Sequence, residues 1–374
     1  MNTEQLVARV LDPDWLSDQA GRSVRAARLR IKPRTSLVVG LDDATGHPVG
    51  WLRFLWPISH TKAARTSREA GELGLETSEH ELGELLVQTG PLPADPKLLT
   101  RIADATASEK LGSWEASQVL RYNPLRRVVV RYGKRVVRVA TSRDRGVAFD
   151  RFMAGVVETP RRLDDGALDG VSVHAFTGDL DLADLLDGNP SEPVHGTSDP
   201  VRAAGAMLAR LHAAEVPGDL ARSLAARTAD PVAQGLAHAA LLDELAPDLA
   251  ERMRRVVARL PGAASAIPVL SHGDLSPDQV LTTHAGDTVW LTDFDRACLA
   301  PRAVDLGSFL AVLDDAAFLD GYRDGGGQVP PEDQLRRAVA ASLILRAADP
   351  LRRASCDWKQ QVSANLDRIR EVAT

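Results

Sequence analysis

Two short polar clusters in the last third of the chain carry residue types that could do chemistry. Residues 271–280 read Ser-His-Gly-Asp-Leu-Ser-Pro-Asp-Gln-Val, and residues 292–295 read Thr-Asp-Phe-Asp. Asp274 is followed five residues later by Gln279 and nineteen residues later by Asp293, with apolar runs between them. Burying two carboxylates and an amide together is costly unless they find partners. A divalent cation and nucleotide phosphates would supply such partners. Magnesium takes hard oxygen ligands, uses few protein carboxylates and keeps several waters. Asp293 and the amide oxygen of Gln279 suit that role. Asp274 then stands close enough to face an incoming hydroxyl, and phosphoryl transfer needs a carboxylate that orients or deprotonates the nucleophile.

The elements around these residues must bring them together. Val269-Leu270 leads in, and Val280-Leu281 and Thr288–Leu291 flank Ala285-Gly286-Asp287. This predicts a strand, a turn and a second strand, with Asp274, Gln279 and Asp293 at one edge. Upstream, residues 1–26 read as helix, with Leu6, Val7, Val10 and Leu11 at helical spacing. Ala27–Leu41 and Gly50–Trp56 are β-rich runs, Thr61–Leu73 a helix, Leu82–Gln88 a strand and Lys97–Ala107 a short helix. Strands are predicted over 118–122, 127–132 and 135–140, with a tight Gly133-Lys134 turn, followed by a helix from Arg145 to Val157. Residues 118–131 are weakly similar to 27–39, since both place basic residues around a Pro turn between strand-like runs. Val171–Phe176 is a short apolar run. Beyond Gly178 the chain reads mostly as helix, from a good start at Asp199-Pro200 through 232–246, 249–260, 303–322 and 331–371. Gly188–Thr197 and Asp324–Pro331 read as surface loops.

Composition sets the class. A chain of 374 residues suggests two or three domains, and 44% apolar with 26% charged residues is ordinary for a soluble globular protein. A net charge of −6 gives no global basic field to attract nucleic acid. The two cysteines, Cys298 and Cys356, lie far apart and outside any metal-ligand spacing, which fits a reduced, cytoplasmic protein. The start, Met1–Gln5, lacks the basic and apolar regions of a signal peptide. No run approaches the ~18 apolar residues of a membrane span.

In the order of His272-Gly273-Asp274, Gln279, Asp293-Phe294-Asp295 and Asp305-Leu306 the sequence resembles the aminoglycoside phosphotransferase and choline kinase-like family. These are small-molecule kinases related to protein kinases, with the pattern H-G-D-x-x-x-x-N, then D-x-D or D-x-G, then D-L. Leu208-Ala209-Arg210-Leu211-His212 resembles the family's L-A-x-L-H helix. Val171–Phe176 with Gly178 resembles its hinge, and residues 119–140 its small β-lobe, with Asn123–Arg127 as the phosphate-side turn. The resemblance covers about residues 101–345. It implies an α+β, protein-kinase-like bilobal fold, with a β-rich N-lobe over 101–178 and a helical C-lobe over 179–374. It implies ATP as co-substrate, magnesium as cofactor and a small-molecule hydroxyl as acceptor. Asp274 looks like the base and His272 like part of its loop's scaffold. Asp293 looks like the principal magnesium ligand, with Gln279 beside it. Asp305 looks like the residue that braces the loop. Asp295 binds a second magnesium or braces the turn. Adenine would lie at the hinge, near His174 and Phe176. Residues 1–100 form an α/β cap subdomain, similar to the N-terminal cap of bacterial sugar kinases such as maltokinases.

The chain departs from the family pattern in three places. Gln279 stands for Asn, Arg138 for the phosphate-binding Lys, and Asp150 for the Glu that would pair with it. The twelve residues from Asp293 to Asp305 leave no room for a long peptide-binding activation segment. Two readings follow. One is an ATP-dependent kinase of a sugar or an aminoglycoside-like molecule. The other is a catalytically weak or inactive nucleotide-binding protein on the same fold. Among the remaining polar groups, His212 reads as a packed or hydrogen-bonded histidine. Asp314, Asp315, Asp320 and Asp324 read as a solvated acidic face. The turns at 30–34 and 126–127 could hold phosphate, although Arg30, Lys32 and Arg34 read first as solubilising charges on an edge strand. ATP against GTP and monomer against homodimer stay open.

Overall fold

The computed structural model describes residues 1–188, 199–225, 229–260, 262 and 266–373. Beyond Gly188, the surface loop expected over Gly188–Thr197 lies outside them. The helix expected through residue 26 is two helices, α1 (Thr3–Val10) and α2 (Pro13–Ala20). Pro13 has no N–H with which to continue α1, and Asp12 caps α2 by accepting from the Asp14 N–H at 3.0 Å. A first antiparallel sheet follows: β1 (Arg25–Lys32), β2 (Ser36–Asp42), β3 (Pro48–Leu55), then helix α3 (Thr61–Glu72), β4 (Ser78–Leu82) and β5 (Leu85–Pro91). Its order is β1-β2-β3-β5-β4.

Helix α4 (Leu99–Ala107) leads to a second antiparallel sheet. It contains β6 (Gln118–Asn123), β7 (Arg127–Tyr132) and β8 (Arg135–Ala140), then α5 (Val147–Ala154) and β9 (Val171–Ala175), in the order β6-β7-β8-β9. Val128, Val130, Val137 and Val139 alternate along β7 and β8 and are buried together with Val171 and Val173. That period-two pattern is why these strands lie within a residue of where the sequence predicts them. The weak similarity between 27–39 and 118–131 has a structural counterpart. Apart from the added edge strand β4, both sheets run strand-strand-strand-helix-strand. In both first turns the residue after Pro has positive φ, Arg34 at 53° and Leu125 at 59°. Arg53 pairs across from Val38 and Arg138 across from Val129, so the two arginines occupy matching places. Arg53 is buried and satisfied, donating to Gln88 Oε1 at 2.8 Å and Thr66 Oγ1 at 2.9 Å.

The remainder is mainly helical: β10 (Leu180–Asp181), α6 (Leu182–Asp187), α7 (Pro200–Ala213), α8 (Gly218–Leu224), α9 (Pro231–Asp243), α10 (Pro247–Arg259), β11 (Pro268–Ser271), β12 (Val280–Thr282), β13 (Val289–Leu291), β14 (Cys298–Pro301), α11 (Ala303–Leu310), α12 (Ala316–Asp324), α13 (Glu332–Arg346), α14 (Asp349–Arg352) and α15 (Trp358–Val372). The fold is the α+β, bilobal arrangement expected, a β-sheet lobe followed by a helical one. One apolar core was not expected. Leu6, Val10, Leu16, Phe54 and Val87 pack in one cluster with Leu242, Met253, Ile344, Trp358 and Leu366 of the C-terminal helices. Trp51 and Leu92 instead join the core of the second sheet. The first ninety or so residues are thus packed against both lobes. No helix among the described residues is long and apolar enough to cross a membrane.

Candidate active site

Strand β11 pairs antiparallel with β14 and ends at Ser271, so the chain leaves the sheet at His272. A 3-10 turn over Pro277–Gln279 feeds the β12–β13 hairpin, whose register sets Val280 opposite Leu291. The Thr292 N–H donates to the Gln279 carbonyl at 3.0 Å, which seats Gln279 beside Asp293. The short hairpin is what turns a sequence separation of fourteen residues into adjacency.

Asp305, in the first turn of α11, is fully buried and organises the loop. Its Oδ1 accepts from the Gly273 N–H at 2.7 Å, and its Oδ2 from the His272 N–H at 2.7 Å. Oδ2 also meets His212 Nε2 at 3.1 Å, and His212 Nδ1 meets the Tyr322 hydroxyl at 2.9 Å. Burial pushes the Asp305 carboxyl up. The hydrogen bond and charge of His212, with the charge of His272 and the backbone donor, outweigh burial and hold it below the usual carboxylate range. His272 is itself buried and donates from Nε2 to the Thr292 carbonyl at 2.9 Å. Gly273 has φ +83°, and a Cβ there would lie 2.2 Å from the Arg296 carbonyl oxygen, so the loop needs glycine at this point.

Asp274 is half-buried. Arg346 Nη2 donates to its Oδ1 at 2.9 Å, and Arg296 Nε stands 3.5 Å from its Oδ2. Burial raises its carboxyl, and the two arginines only partly counter this, so Asp274 binds its proton more tightly than an ordinary aspartate. Gln279 is buried, and its Oε1 has no hydrogen-bond partner among the described residues. Asp293 follows β13 with φ 62° and ψ 50°, a left-handed conformation that Asp tolerates better than most side chains. Arg127 Nη1 donates to its Oδ1 at 2.8 Å. Burial raises the Asp293 carboxyl, and the charge and hydrogen bond of Arg127 with the charges of Arg138 and His272 together outweigh it, so the carboxyl lies below the usual range.

Arg138 donates to Asp295 Oδ2, and Arg127 lies 3.6 Å from the same oxygen. The pairing of Arg138 with Asp150 is therefore not the one formed. Asp150 accepts instead from Arg162 Nη1 at 2.6 Å and lies 3.8 Å from His174 Nε2. The strand geometry explains this: Arg138 and Ser172 are register partners, and an isolated bridge joins Arg162 to His174. At the hinge, the Phe176 N–H already donates to the Lys134 carbonyl at 2.9 Å, and Arg131 lies over the Phe176 ring at 3.8 Å. His212 has the hydrogen-bonded role the sequence suggests. Sequence reasoning missed Arg346, Arg296 and Arg162. One sequence signal pointed near them, the position of Arg296 next to Asp295.

The loop and the hairpin carry Asp274, the buried amide oxygen of Gln279, Asp293 and Asp295, with Arg127, Arg138, Arg296 and Arg346 on the carboxylates. No group of three or more His, Cys, Asp or Glu side chains that could hold a metal occurs among the described residues, since one of the expected ligands is the amide Gln279. The sequence profile of the Phosphotransferase enzyme family matches residues 78–340. The chain belongs to that family. Its motifs imply a small-molecule kinase, and the family match agrees with that class. Its fold is similar to that of a choline/ethanolamine kinase family protein from Mesorhizobium loti (16% identity, TM-score 0.50), with 74% of this chain and 94% of that one covered. It is also similar to the GDP and kanamycin complex of APH(2")-IIia (16% identity, TM-score 0.50), with 73% of this chain and 98% of that one covered. No curated protein sequence matches the chain.

Proposed function

We propose that the protein transfers the γ-phosphoryl group of ATP to a hydroxyl of a small molecule, with Asp274 as the general base. The observation that carries the reading is the buried Oε1 of Gln279, which has no hydrogen-bond partner among the described residues, on a backbone paired with Thr292 next to Asp293. A buried acceptor without a donor is rare and calls for an explanation, and a hard cation supplies one. The residues present fit magnesium: Gln279 and Asp293 would hold it, with Asp295 within reach after parting from Arg138. When bound, magnesium adds positive charge against the phosphate oxygens.

The chain's own groups do the rest. Asp274 accepts the hydroxyl proton as the acceptor oxygen forms its bond to phosphorus and the bond from phosphorus to the ADP oxygen breaks. The proton then passes from Asp274 to solvent. Asp305 fixes the backbone on which Asp274 is carried. Arg127 and Arg138 offer guanidiniums to the phosphate oxygens once nucleotide draws them from Asp293 and Asp295. A sugar is the first choice of acceptor, a choice that rests on the further proposal that residues 1–100 form a maltokinase-like cap.

Phosphotransfer from Mg-ATP to a panel of sugars and aminoglycosides, in wild type and Asp274→Ala, tests the reading. The expected loss is roughly 10²–10⁴-fold, and equal rates would remove Asp274 from the role. A second reading, nucleotide binding without turnover, is favoured by the arginines now seated on Asp293 and Asp295 and by the engaged Phe176 N–H. Magnesium-dependent ATP binding with no transfer over the whole panel would establish it.

A further inference from the structure

Four arginines of the second sheet and the segment that follows it reach the loops that carry the site. Arg121 of β6 donates to Asp278 Oδ2 at 3.2 Å. Arg127 of β7 donates to Asp293 Oδ1 at 2.8 Å and lies 3.6 Å from Asp295 Oδ2. Arg138 of β8 donates to that same Asp295 oxygen. Arg145, just before α5, donates to the Asp295 carbonyl at 2.9 Å and to the Ala297 carbonyl. These ties are of two kinds. Arg121 and Arg145 hold Asp278 and two backbone carbonyls. Arg127 and Arg138 hold the side-chain oxygens of Asp293 and Asp295, the two carboxylates that magnesium would need.

The second kind is shielded from water. The Arg127 and Asp293 side chains are 16% and 20% exposed, and Arg138 is 14% exposed, so these are not loose surface pairs. Burial lowers the pKa of Arg127, but the charge and hydrogen bond of Asp293, with the charges of Asp295 and Asp278, outweigh this and hold it above its ordinary value. Two guanidiniums cancel two carboxylates. A dication arriving alone meets no net negative charge on these four groups, and taking Asp293 would strand a shielded guanidinium, which is costly. Nucleotide phosphates change the balance. They accept the guanidinium fork as a carboxylate does, and so release both aspartates. Arg121 and Arg145 keep their own partners through this exchange, so it does not require the sheet to part from the site loops.

We propose that Arg127 and Arg138 form a latch on the metal carboxylates that makes magnesium binding conditional on nucleotide. Free magnesium is excluded, the arginines take the nucleotide phosphates first, and the metal binds where the arginines have left. Among the three expected ligands only the uncharged Gln279 Oε1 stands without a donor among the described residues, and one neutral oxygen does not hold the ion by itself. The coupling is reciprocal, so magnesium in turn tightens nucleotide. The inference rests on the reading that Gln279, Asp293 and Asp295 hold the metal.

The test is calorimetric titration of the full chain at constant ionic strength, with MgCl2 alone, with ADP in EDTA, and with MgCl2 on ADP-saturated protein. The variants are Arg127→Gln, Arg138→Gln, Asp293→Asn and, as a control that removes an arginine from outside the metal carboxylates, Arg121→Gln. Arg127→Gln and Arg138→Gln are each expected to bind magnesium alone at least about tenfold more tightly than wild type, and metal-free ADP at least about tenfold more weakly. The opposite signs separate a latch from damage to the fold, which would weaken both. Arg121→Gln is expected to leave magnesium binding at the wild-type level. The proposal is overturned if nucleotide-free wild type binds magnesium as tightly as the two latch variants do, or if Arg121→Gln gains as much as they do. If Asp293→Asn abolishes magnesium binding to the ADP complex while the latch variants gain nothing, only this inference fails. If Asp293→Asn leaves that binding unchanged, the metal reading itself fails.

Discussion

Asp305→Asn removes one charge and one acceptor from a fully buried site while keeping its shape. The carboxylate accepts from three buried donors: the Gly273 N–H and His272 N–H, each at 2.7 Å, and His212 Nε2 at 3.1 Å. Asparagine offers a single oxygen and turns its NH2 toward at least one of those N–H groups. The lost charge-assisted bond is worth about 1.5–3 kcal/mol, and the stranded donor costs about 1–3 kcal/mol more. The relieved desolvation of the carboxylate offsets part of this, but not all, because the hydrogen bonds and the charges of His212 and His272 together outweigh burial at Asp305. A net loss of about 2–4 kcal/mol is expected. For a chain of 374 residues that lowers Tm by about 3–5 °C. The loop shift carries Asp274 with it, and misplacement by about 1 Å costs roughly 10²-fold in rate. Thermal unfolding and kcat, measured together, provide the assay. The pH dependence is a further check. The folded-state pKa of Asp305 is depressed, so its stabilisation is complete above the unfolded value of about 4 and disappears as pH falls through the folded one. The gap between wild type and variant should close over that acid range. A Tm within about 1 °C of wild type at neutral pH, with full kcat, would refute the bracing role.

Four further outcomes follow from the same geometry. Gly273→Ala should lose both Tm and activity, since the left-handed backbone alone costs about 1–2 kcal/mol and the new Cβ meets the Arg296 carbonyl oxygen at 2.2 Å. Gln279→Leu removes a buried acceptor that has no donor among the described residues, so Tm should hold or rise, while the magnesium concentration for half-maximal rate rises by roughly tenfold or more. The acid limb of kcat/KM should have its midpoint above the ordinary carboxylate range, because Asp274 must be deprotonated to act and burial raises its pKa. Arg346→Gln removes a positive charge from Asp274 Oδ1 and should move that midpoint to still higher pH. An unmoved midpoint would separate Arg346 from the base.

How much of this was legible in the sequence differs residue by residue. Strands β7 and β8 were legible because their valines alternate with period two, and α7 because Asp199 and Pro200 announce its start. The break between α1 and α2 was also written there, in Asp12-Pro13, but apolar spacing through Leu11 argued for one helix. The closeness of Gln279 and Asp293 could be read because a short hairpin joins them and its turn is local. Local order cannot rank distant partners. Asp150 might have met any of many arginines, and strand register gave it Arg162, while Arg138 turned to Asp295.

The sequence by itself determined the kind of chemistry. The types and spacing of His272, Gly273, Asp274, Gln279, Asp293 and Asp305 depend on a loop, a hairpin and a helix start, all set by nearby residues. Only the tertiary structure decided what surrounds that chemistry. It brought Arg346 from α13 onto Asp274, set Arg127 and Arg138 on Asp293 and Asp295, and merged the core of α1, α2 and the first sheet with that of the C-terminal helices. An apolar face or a guanidinium is satisfied by any partner of the right kind. Which partner it meets is settled by packing the whole chain at once.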